Sequence, residues 1–486
     1  MAEALPRVPR NPRFDVLAPR VDVSELGVVH VLAAGGAGMS AIVRLLLDAG
    51  VRVSGSDAKD SPLLDRLRER GARLWVGHDE THLDGVDTVV VSSAIRESNP
   101  ELAAARSRGL RVLHRSQALA AAMGSQSRVA IAGANGKTTT SSMLTVALLE
   151  AGEDPSFALG GELSAQGVNA AIGGGRAFVA EADESDGSFL AYQPHVAVVT
   201  NVQPDHLDFF GDLATVEAAY LEFADTVEPD GLLVACADDA GSARLARRAS
   251  EAGVRVLTYG FDEGSDLRLV DPVLDGTSAR TGLLDHGGER GVERELAITV
   301  PGRHNLLNAT AAYAAAVHGL GVDPEAALAG LAAYGGTRRR FETKGEARGI
   351  TVVDDYAHNP GKVEAVVRTA KEIAGEHRLV VVFQPHLYSR TRDFAQTFAA
   401  GLAPADEVLL LDIYGAREDP MEGVTSHLIA DPLAAAGTTV AVVPAEEAVS
   451  RIVEGAAEGD LVLTVGAGDV TELGPRILAA LDAPGA

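Results

Sequence analysis

The sequence predicts an α/β protein with parallel sheets in about three domains. Three segments of the 486-residue chain share one pattern, in which a short, mostly β-branched run precedes a polar or glycine-rich loop and then a helical pattern. These segments begin at Val28, Val129 and Ile350. A strand, a loop and a helix in this order form the repeating unit of a parallel sheet. The core must be aliphatic, because hydrophobic residues make up 46% of the chain and aromatic residues only 4%.

Domain boundaries are predicted where the composition turns polar or rich in glycine. Residues 124–127 and 335–337 are such stretches. We therefore predict a flexible tail over residues 1–26 and domains over residues 27–124, 125–334 and 335–486. Inside the second domain, residues 262–296 are polar, acidic and rich in glycine, which predicts irregular strands and loops.

The composition disfavours several classes of partner. Asp and Glu number 68 against 42 Lys and Arg, and the formal net charge of −26 repels nucleic acid and anionic lipid. No apolar run has the length of a signal peptide or a membrane span. The single cysteine, Cys236, excludes an intrachain disulfide and fits a reducing compartment. We predict a cytoplasmic monomer or weak homodimer that acts on small molecules, without nucleic acid or membrane partners.

Residues 133–138 (Gly-Ala-Asn-Gly-Lys-Thr) predict a phosphate-binding loop. Its glycines let backbone N–H groups face an anion at the start of a helix. Lys137 can neutralise phosphate charge, and the Thr138 hydroxyl can ligate Mg²⁺. The spacing is shorter than in the usual motif, because Ile131 stands where the first glycine is expected. A glycine-rich turn without a ligand is the alternative.

A second glycine-rich loop lies in the first domain. Residues 36–41 (Gly-Ala-Gly-Met-Ser-Ala) match a dinucleotide fingerprint. The next strand is predicted at residues 51–53 and is expected to end at the polar residues 54–57, the last of which is Asp57. Alone, this loop fits a structural turn or an NAD site equally well. Two anion-binding loops in separate domains, however, favour two phosphorylated ligands and hence a transferase or ligase.

An acidic segment predicts a metal site beside the phosphate loop. Residues 181–186 (Glu-Ala-Asp-Glu-Ser-Asp) follow an apolar run, so the acids emerge at the carboxyl end of a strand. A carboxylate there can hold the Mg²⁺ that neutralises a transferring phosphoryl group. His206, after the next strand, is a candidate ligand for a second divalent cation. A solvated acidic loop and a surface imidazole are the alternatives.

Taken together, these motifs resemble the Mur ligase family along nearly the whole chain after the tail. Each motif is weak alone, but their number and order are specific. The matching segments are residues 35–40, 55–57, 92–95, 136–140, 181–186, 200–201, 205–206, 301–305 with 308, 339–341, 354–358, 383–386, 388–391, 412–414 and 466–469.

The resemblance implies a fold and a reaction. A Rossmann-like N-terminal domain would bind a UDP-sugar, a P-loop ATPase-like central domain would bind ATP, and a Rossmann-like C-terminal domain would bind an amino acid. The enzyme would join L-alanine to UDP-N-acetylmuramate through an acyl phosphate, using ATP and Mg²⁺. Within the same family, a ligase that adds a recycled peptide to this UDP-sugar is the alternative. Two further alternatives belong to other classes. An NAD-dependent dehydrogenase would leave the phosphate loop unexplained. A non-catalytic regulator that binds the UDP-sugar would not need an intact metal cluster.

The resemblance also implies roles for individual residues. Lys137, His358 and Arg390 would be catalytic, and the metal ligands would be Thr138, Glu181 and His206. The UDP-sugar would contact Gly35, Gly36, Ala37, Gly38, Met39, Ser40, Asp57 and Ser92. ATP would contact Gly133, Ala134, Asn135, Gly136, Lys137, Thr138, Thr139, Asn305, Asn308, Arg340 and Asp355. The amino acid would contact Tyr356, His386 and Arg390.

Four positions depart from the family pattern. Ala33 replaces a glycine, residues 134–135 (Ala-Asn) replace Thr-His, Asn359 replaces a histidine and Leu387 replaces an arginine. The loss of an arginine at position 387 removes a fixed charge near the expected carboxylate site, which leaves the identity of the amino acid open.

Overall fold

The computed structural model describes residues 6–287, 291–416 and 418–483. The chain divides into two compact units, one of Met1–Val273 with Ala279–Gly335 and the other of Leu274–Ser278 with Gly336–Ala486. The described residues form three sheets, most of whose strands pair in parallel, and helices connect the strands. The predicted α/β class is confirmed, while the domain boundaries stay a prediction. Among the residues described, no helix combines the length and the apolar character needed to cross a membrane.

The first sheet has five parallel strands in the order β3-β2-β1-β4-β5. The strands are β1 (Val29–Leu32), β2 (Val53–Asp57), β3 (Arg73–Val76), β4 (Thr88–Val91) and β5 (Arg111–His114). The helices are α1 (Ala37–Asp48), α2 (Pro62–Glu69), α3 (Pro100–Ser107) and α4 (Arg115–Ala122). In this order β1 lies where the direction of winding reverses, and ligands of such sheets bind at the carboxyl ends of the strands beside that point.

The second strand differs from the prediction. The polar residues 54–57 continue β2 instead of ending it, because the strand is buried between β1 and β3. Gly55 permits this packing: a Cβ atom there would lie 2.6 Å from the carbonyl oxygen of Val31.

The central sheet has ten strands in the order β15-β14-β13-β12-β11-β10-β6-β9-β7-β8. The strands are β6 (Ser127–Ala132), β7 (Ser156–Ala158), β8 (Ala170–Ala171), β9 (Ala177–Glu181), β10 (Val196–Val199), β11 (Leu232–Cys236), β12 (Val256–Gly260), β13 (Leu267–Leu274), β14 (Ala279–Asp285) and β15 (Val292–Ile298). The helices are α5 (Lys137–Glu150), α6 (Leu207–Phe210), α7 (Leu213–Asp225), α8 (Ala240–Glu251), α9 (Arg303–Ala314) and α10 (Pro324–Ala332). The neighbours β9, β6 and β10 are parallel, so the loops that follow them meet at one edge of the sheet.

Two stretches are more ordered than the sequence predicted. Most of residues 262–296 form the regular strands β13, β14 and β15, and β14 alternates between buried and exposed residues as a strand with one covered face does. In the predicted tail, Val8, Phe14 and Val16 are buried in the cores of the first unit, so the described part of this segment is anchored at these positions, while most of its residues are exposed or half-buried. Residues 1–5 lie outside the described residues.

The second unit holds a six-stranded sheet in the order β16-β17-β21-β18-β19-β20, parallel except for β16. The strands are β16 (Glu342–Ala347), β17 (Ile350–Asp355), β18 (Leu379–Phe383), β19 (Glu407–Leu410), β20 (Thr439–Val442) and β21 (Leu461–Val465). The helices are α11 (Pro360–Ala374), α12 (Tyr388–Leu402), α13 (His427–Ala435), α14 (Ala445–Gly455) and α15 (Leu473–Leu481). The loops after β17 and β18 therefore lie at the same edge of this sheet.

Candidate active site

The phosphate loop connects β6 to α5, and its conformation requires glycine at two positions. Gly133 and Gly136 have φ angles of 135° and 85°. A Cβ atom on Gly133 would lie 2.0 Å from Oγ1 of Thr200, and one on Gly136 would lie 2.5 Å from Oδ1 of Asn308. Both glycines are therefore fixed by conformation and by space. The loop presents its backbone at the N-terminus of α5, where an anion is favoured.

Other loop residues are held from within the central domain. Ala134 is buried. The carbonyl oxygen of Asn135 accepts hydrogen bonds from Thr200 Oγ1 (2.6 Å) and Asn201 Nδ2 (3.0 Å), and its N–H donates to Oδ1 of Asn201 at 2.9 Å. Thr139 follows on the first turn of α5 and is half-buried. These hydrogen bonds hold the backbone of the loop in place.

Lys137, the first residue of α5, forms a buried ion pair. Its ammonium donates to Oε1 of Glu184 at 2.8 Å and to the carbonyl oxygen of Gly133 at 2.5 Å. Burial acts to lower the pKa of Lys137, but the negative charges of Glu184, Glu181 and Asp183 outweigh it and leave the pKa raised. Lys137 is therefore a fixed cation at the phosphate loop.

Thr138, the second residue of α5, contacts Glu181 at the end of β9. The Thr138 hydroxyl donates to Oε2 of Glu181 at 2.7 Å, and the N–H of Gly160 donates to the same oxygen at 3.0 Å. This hydroxyl and carboxylate are oxygen ligands of the type that Mg²⁺ prefers. Two of the three predicted metal ligands thus lie side by side.

His206, the third predicted ligand, lies nearer to two other carboxylates. Within the described part of the chain, Glu184, Asp205 and His206 bring three possible metal-ligating atoms within 4.8 Å of one another. Nε2 of His206 lies 3.9 Å from Oε1 of Glu184 and 3.9 Å from Oδ1 of Asp205. Burial raises the pKa of Glu184, and its Oε2 is buried with no hydrogen-bond partner among the described residues. A buried carboxylate oxygen in this state fits a cation site.

The two asparagines predicted to contact ATP, Asn305 and Asn308, are buried on α9 beside the phosphate loop. Asn308 Oδ1 accepts from the Thr140 hydroxyl at 3.2 Å, and Asn308 Nδ2 donates to Oδ1 of Asn305 at 3.1 Å. Nδ2 of Asn305 donates to the carbonyl oxygen of Pro301 at 2.6 Å. They are neither helix caps nor surface residues, and Asn308 contacts the wall of the phosphate loop.

The glycine-rich loop of the first domain lies between β1 and α1, at the expected edge of its sheet. Asp57 accepts a hydrogen bond from the N–H of Gly35 at 2.9 Å and so ties this loop to the end of β2. Ala33 has a φ of 57°, a conformation that favours glycine. Gly36 precedes the first turn of α1, which begins at Ala37.

Within this loop, the side chains of Met39 and Ser40 are buried, and Met39 packs into the domain core. Met39 can therefore reach a ligand only through its backbone. Ser92 follows β4 at the same edge of the sheet and is half-buried.

In the second unit, three predicted acceptor-site residues lie together after β17 and β18. The rings of Tyr356 and His358 are 5.1 Å apart, and those of His358 and His386 are 5.8 Å apart. Arg390, on the first turn of α12, donates to the carbonyl oxygen of His358 at 3.2 Å. Tyr414, which was not predicted as a site residue, stacks on His386 with ring centroids 5.9 Å apart.

The protonation of His358 is defined by its surroundings. Nδ1 lies 2.9 Å from the carbonyl oxygen of Tyr356, which can only accept, so Nδ1 carries the proton and Nε2 has a free lone pair. Burial lowers the pKa of His358 well below the usual value, and the charges of Lys362 and Arg390 act in the same direction. His358 is a neutral imidazole able to accept a proton.

Two of the departures from the family pattern lie directly before helices of the second unit. Leu387 is buried with a φ of 71° just before α12. Asn359 caps α11, because its Oδ1 accepts from the N–H of Lys362 at 2.9 Å.

Two predicted nucleotide contacts of the second unit lie next to this cluster. Both carboxylate oxygens of Asp355 accept backbone hydrogen bonds, from Phe341 at 2.8 Å and from Ala357 at 2.7 Å. The guanidinium of Arg340 lies 5.5 Å from the centroid of the Tyr356 ring. Asp355 therefore organises the turn after β17.

Family models match the chain in three consecutive segments. The model described as "Mur ligase family, catalytic domain" matches residues 28–127, "Mur ligase middle domain" matches residues 131–316, and "Mur ligase, glutamate ligase domain" matches residues 339–468.

Curated relatives and solved structures agree. The UDP-N-acetylmuramate–L-alanine ligase of Kineococcus radiotolerans is 58% identical, covering 94% of this chain and 96% of that protein. The enzyme of the same name from Renibacterium salmoninarum is 51% identical, and the match covers 96% of this chain and 98% of that protein. The structure of the UDP-N-acetylmuramate–alanine ligase of Thermotoga maritima has a TM-score of 0.77 at 28% identity, covering 93% and 98%. The structure of a murein peptide ligase from Psychrobacter arcticus has a TM-score of 0.68 at 24% identity, and the match covers 95% of this chain and 100% of that chain. At this identity the likeness shows only that the two proteins share a fold. The family that the motifs predicted is thus confirmed, and the chain belongs to the Mur ligase family.

Proposed function

We propose that this protein is an ATP-dependent ligase that joins L-alanine to the carboxylate of UDP-N-acetylmuramate. The observation that carries this proposal is the 58% identity, over nearly the whole chain, to a relative of that name. The site geometry supports it with a phosphate loop, a candidate cation site beside it, and a second anion-binding loop in the first domain.

The proposed reaction has two steps. A carboxylate oxygen of the sugar attacks the γ-phosphorus of ATP, and the bond between this phosphorus and the β-phosphate oxygen breaks. ADP departs, and the sugar now carries an acyl phosphate. The amine of L-alanine then attacks the acyl carbon, inorganic phosphate leaves, and the amine loses a proton. Lys137 contributes a fixed positive charge where negative charge spreads over the phosphoryl oxygens. Bound Mg²⁺ would add further charge neutralisation, and the residues that would hold it form two groups, Thr138 with Glu181 and Glu184 with Asp205 and His206.

The second unit supplies the groups that the acceptor needs. A free amino acid offers a planar carboxylate, which a guanidinium holds with two parallel hydrogen bonds, and we assign this task to Arg390. Nδ1 of His358 faces a carbonyl oxygen, so the lone pair lies on Nε2, and we assign to Nε2 the task of receiving the amine proton. The lowered pKa keeps the imidazole neutral before this step, although it also makes the ring a weaker base. Tyr356 and His386 would line the acceptor pocket beside these two groups.

The remaining assignments also belong to this proposal. The UDP-sugar would lie on the glycine-rich loop of the first domain, and ATP on the phosphate loop with Asn305, Asn308, Arg340 and Asp355. We further infer a cytoplasmic monomer or weak homodimer, supported by the net charge of −26 and the single, buried cysteine.

The test is phosphate release from ATP with one substrate omitted at a time. Release should require both UDP-N-acetylmuramate and L-alanine, and glycine or L-serine should support it less well. Release that requires a peptide in place of L-alanine would favour the recycling ligase. Oxidation or reduction of NAD without ATP turnover would favour the dehydrogenase. Binding of the UDP-sugar without phosphate release would favour a regulator.

A further inference from the structure

The acidic loop after β9, defined as residues 181–186, faces two directions. Glu181 accepts a hydrogen bond from the Thr138 hydroxyl at 2.7 Å, and Glu184 accepts one from the Lys137 ammonium at 2.8 Å. Both contacts lie at the phosphate loop. Asp183, between them, forms an ion pair with Arg115 of the first domain. One short loop therefore contacts the phosphate site with its glutamates and the sugar-binding domain with an aspartate.

A second contact fixes the far end of the acidic loop to the same domain. Asp186 accepts a hydrogen bond from the Ser93 hydroxyl, and its Oδ2 lies 3.3 Å from Nε2 of His114. His114 is the residue before Arg115 and caps α4. The start of α4 thus contacts both aspartates of the acidic loop.

Arg115 also reaches the glycine-rich loop of the first domain. A Cβ atom on Gly38 would lie 3.2 Å from Nη1 of Arg115, which places the guanidinium against the first turn of α1. The N-terminus of a helix carries partial positive charge, so a cation there is unfavourable unless an anion lies nearby. Asp183 supplies that anion. A phosphate or carboxylate bound on the glycine-rich loop would compete for the same guanidinium or share it.

The charges connect the two sites through Asp183. Partial burial acts to raise the pKa of Asp183, but the positive charges of Arg115 and Lys137 outweigh it and hold the pKa well below the usual range. The same aspartate contributes to the raised pKa of Lys137. A change at Arg115 therefore alters the field at the phosphate loop.

We propose that Arg115 is a positioning residue that couples occupation of the sugar loop to the phosphate site through Asp183. Arg115 holds the acidic loop in the position at which Glu181 and Glu184 meet Thr138 and Lys137. An anionic ligand on the sugar loop changes this hold, and the ligands of the two sites change each other's affinity. The coupling is a free energy between the two sites, so it has the same size whichever ligand is added first.

The inference rests on the proposed function, because UDP-N-acetylmuramate is the probe for the sugar loop. Calorimetry on the full chain should measure the dissociation constant of a non-hydrolysable ATP analogue with Mg²⁺, alone and with saturating UDP-N-acetylmuramate. In the wild type we expect the sugar to change this constant by about fivefold or more. In Arg115→Gln and Asp183→Asn the change should fall below about twofold, and the double variant should show no further loss.

Two further variants separate positioning from a merely structural role. Arg115→Gln should also lower kcat and leave the KM for L-alanine unchanged. Arg115→Lys keeps the charge but not the planar fork, so its coupling and its kcat should lie between those of Arg115→Gln and the wild type. Arg108→Gln, which removes an exposed arginine paired with Asp84 on the same domain, should retain full coupling.

Three results would overturn parts of this account. Sugar binding without an effect on the ATP analogue in the wild type contradicts the coupling. Unchanged coupling in Arg115→Gln or Asp183→Asn, with melting temperatures near that of the wild type, contradicts the role of the ion pair while leaving the proposed function intact. Absence of UDP-N-acetylmuramate binding in the wild type contradicts the proposed function, and this inference with it.

Discussion

The ammonium of Lys137 donates a 2.8 Å hydrogen bond to Oε1 of Glu184, a carboxylate that also lies 3.9 Å from the imidazole of His206. One buried acid therefore connects the phosphate-loop cation to the candidate cation site. When nucleotide phosphates bind, they and Glu184 must share Lys137, and a metal ion would take over part of the charge of Glu184.

Lys137→Ala should abolish ligation while the UDP-sugar still binds. The loss of a charge-assisted contact that strengthens in the transition state should reduce the rate by roughly a thousandfold. Calorimetry without nucleotide should give a dissociation constant for UDP-N-acetylmuramate within about threefold of the wild type, because the sugar loop lies in another domain. Lys371→Ala, which removes an exposed lysine paired with Asp406, is the control and should be fully active. A parallel loss of sugar affinity and activity in Lys137→Ala would argue against two separate phosphate loops.

His206→Gln should raise the Mg²⁺ concentration needed for half-maximal activity by about tenfold or more, because an imidazole ligand is replaced by a weaker amide. Glu184→Gln should act in the same direction. The control is His195→Gln, since His195 pairs with Glu228 at the opposite end of β10. An unchanged Mg²⁺ requirement in His206→Gln would mean that His206 is not a ligand.

Arg390→Lys should raise the KM for L-alanine by roughly ten- to a hundredfold and leave the constants for ATP and the UDP-sugar nearly unchanged. A lysine keeps the charge but cannot reproduce two parallel hydrogen bonds to a carboxylate. Leu387, where the family has an arginine, leaves fewer fixed cations to share this task. Arg392→Lys, two residues further along α12 and paired with Asp393, is a matched control. If Arg390→Lys weakened only the UDP-sugar, Arg390 would belong to the sugar site.

Glu101→Gln should destabilise the first domain. The Glu101 carboxylate is fully buried and accepts from Ser56 Oγ at 2.6 Å, and it pairs with His78 and His82 at 2.7 Å and with His30 at 3.3 Å. Leaving these groups poorly paired should reduce the free energy of unfolding at neutral pH by about 2–3 kcal/mol, as measured by urea denaturation.

The same variant should change how stability depends on pH. Burial acts to raise the pKa of Glu101, but the close approach of the His30 ring and the hydrogen bonds from Ser56, His82 and His78 outweigh it and lower the pKa from 4.5 to about 2. The stabilisation that the Glu101 carboxylate contributes is complete above the pKa of this group in the unfolded chain. It is lost as the pH falls from 4.5 toward about 2. Glu101→Gln has none of this contribution to lose. The control, Glu97→Gln, removes an exposed partner of Arg13 and Arg106 and should cost less than about 1 kcal/mol. An acid-induced loss of the same size in Glu101→Gln and the wild type would contradict the assignment.

The sequence was most informative where apolar strands run into polar or glycine-rich loops. β1, β6 and β17 were predicted because β-branched runs are buried on both faces of a parallel sheet. The predicted end of β2 lay too early in the chain, because Ser, Gly and Asp are poor strand formers. Only tertiary burial keeps these residues in the sheet. Residues 262–296 were predicted as irregular strands and loops, because charged residues and glycines interrupt their apolar pattern. The buried positions in the segment before β1 were not predicted, because its apolar residues are scattered among Pro, Arg and Asp.

Site residues were predicted where a motif identified them and missed where only spatial proximity does. Glu184 lies three residues after Glu181 in the same acidic run, yet spacing alone does not tell which acid contacts Lys137. Arg115 is more than sixty residues from Asp183 in the chain. No local pattern could pair them, because the contact arises from the packing of α4 against the segment after β9.

The measurement that tests the central claim most directly identifies the product by mass spectrometry after incubation with ATP, Mg²⁺ and UDP-N-acetylmuramate. L-alanine and a peptide that begins with L-alanine should be supplied together at equal concentrations. We predict a product whose mass equals that of UDP-N-acetylmuramate plus one alanine residue, formed with one ADP and one phosphate. The peptide adduct as the main product, or ATP turnover without a sugar adduct, would contradict the account.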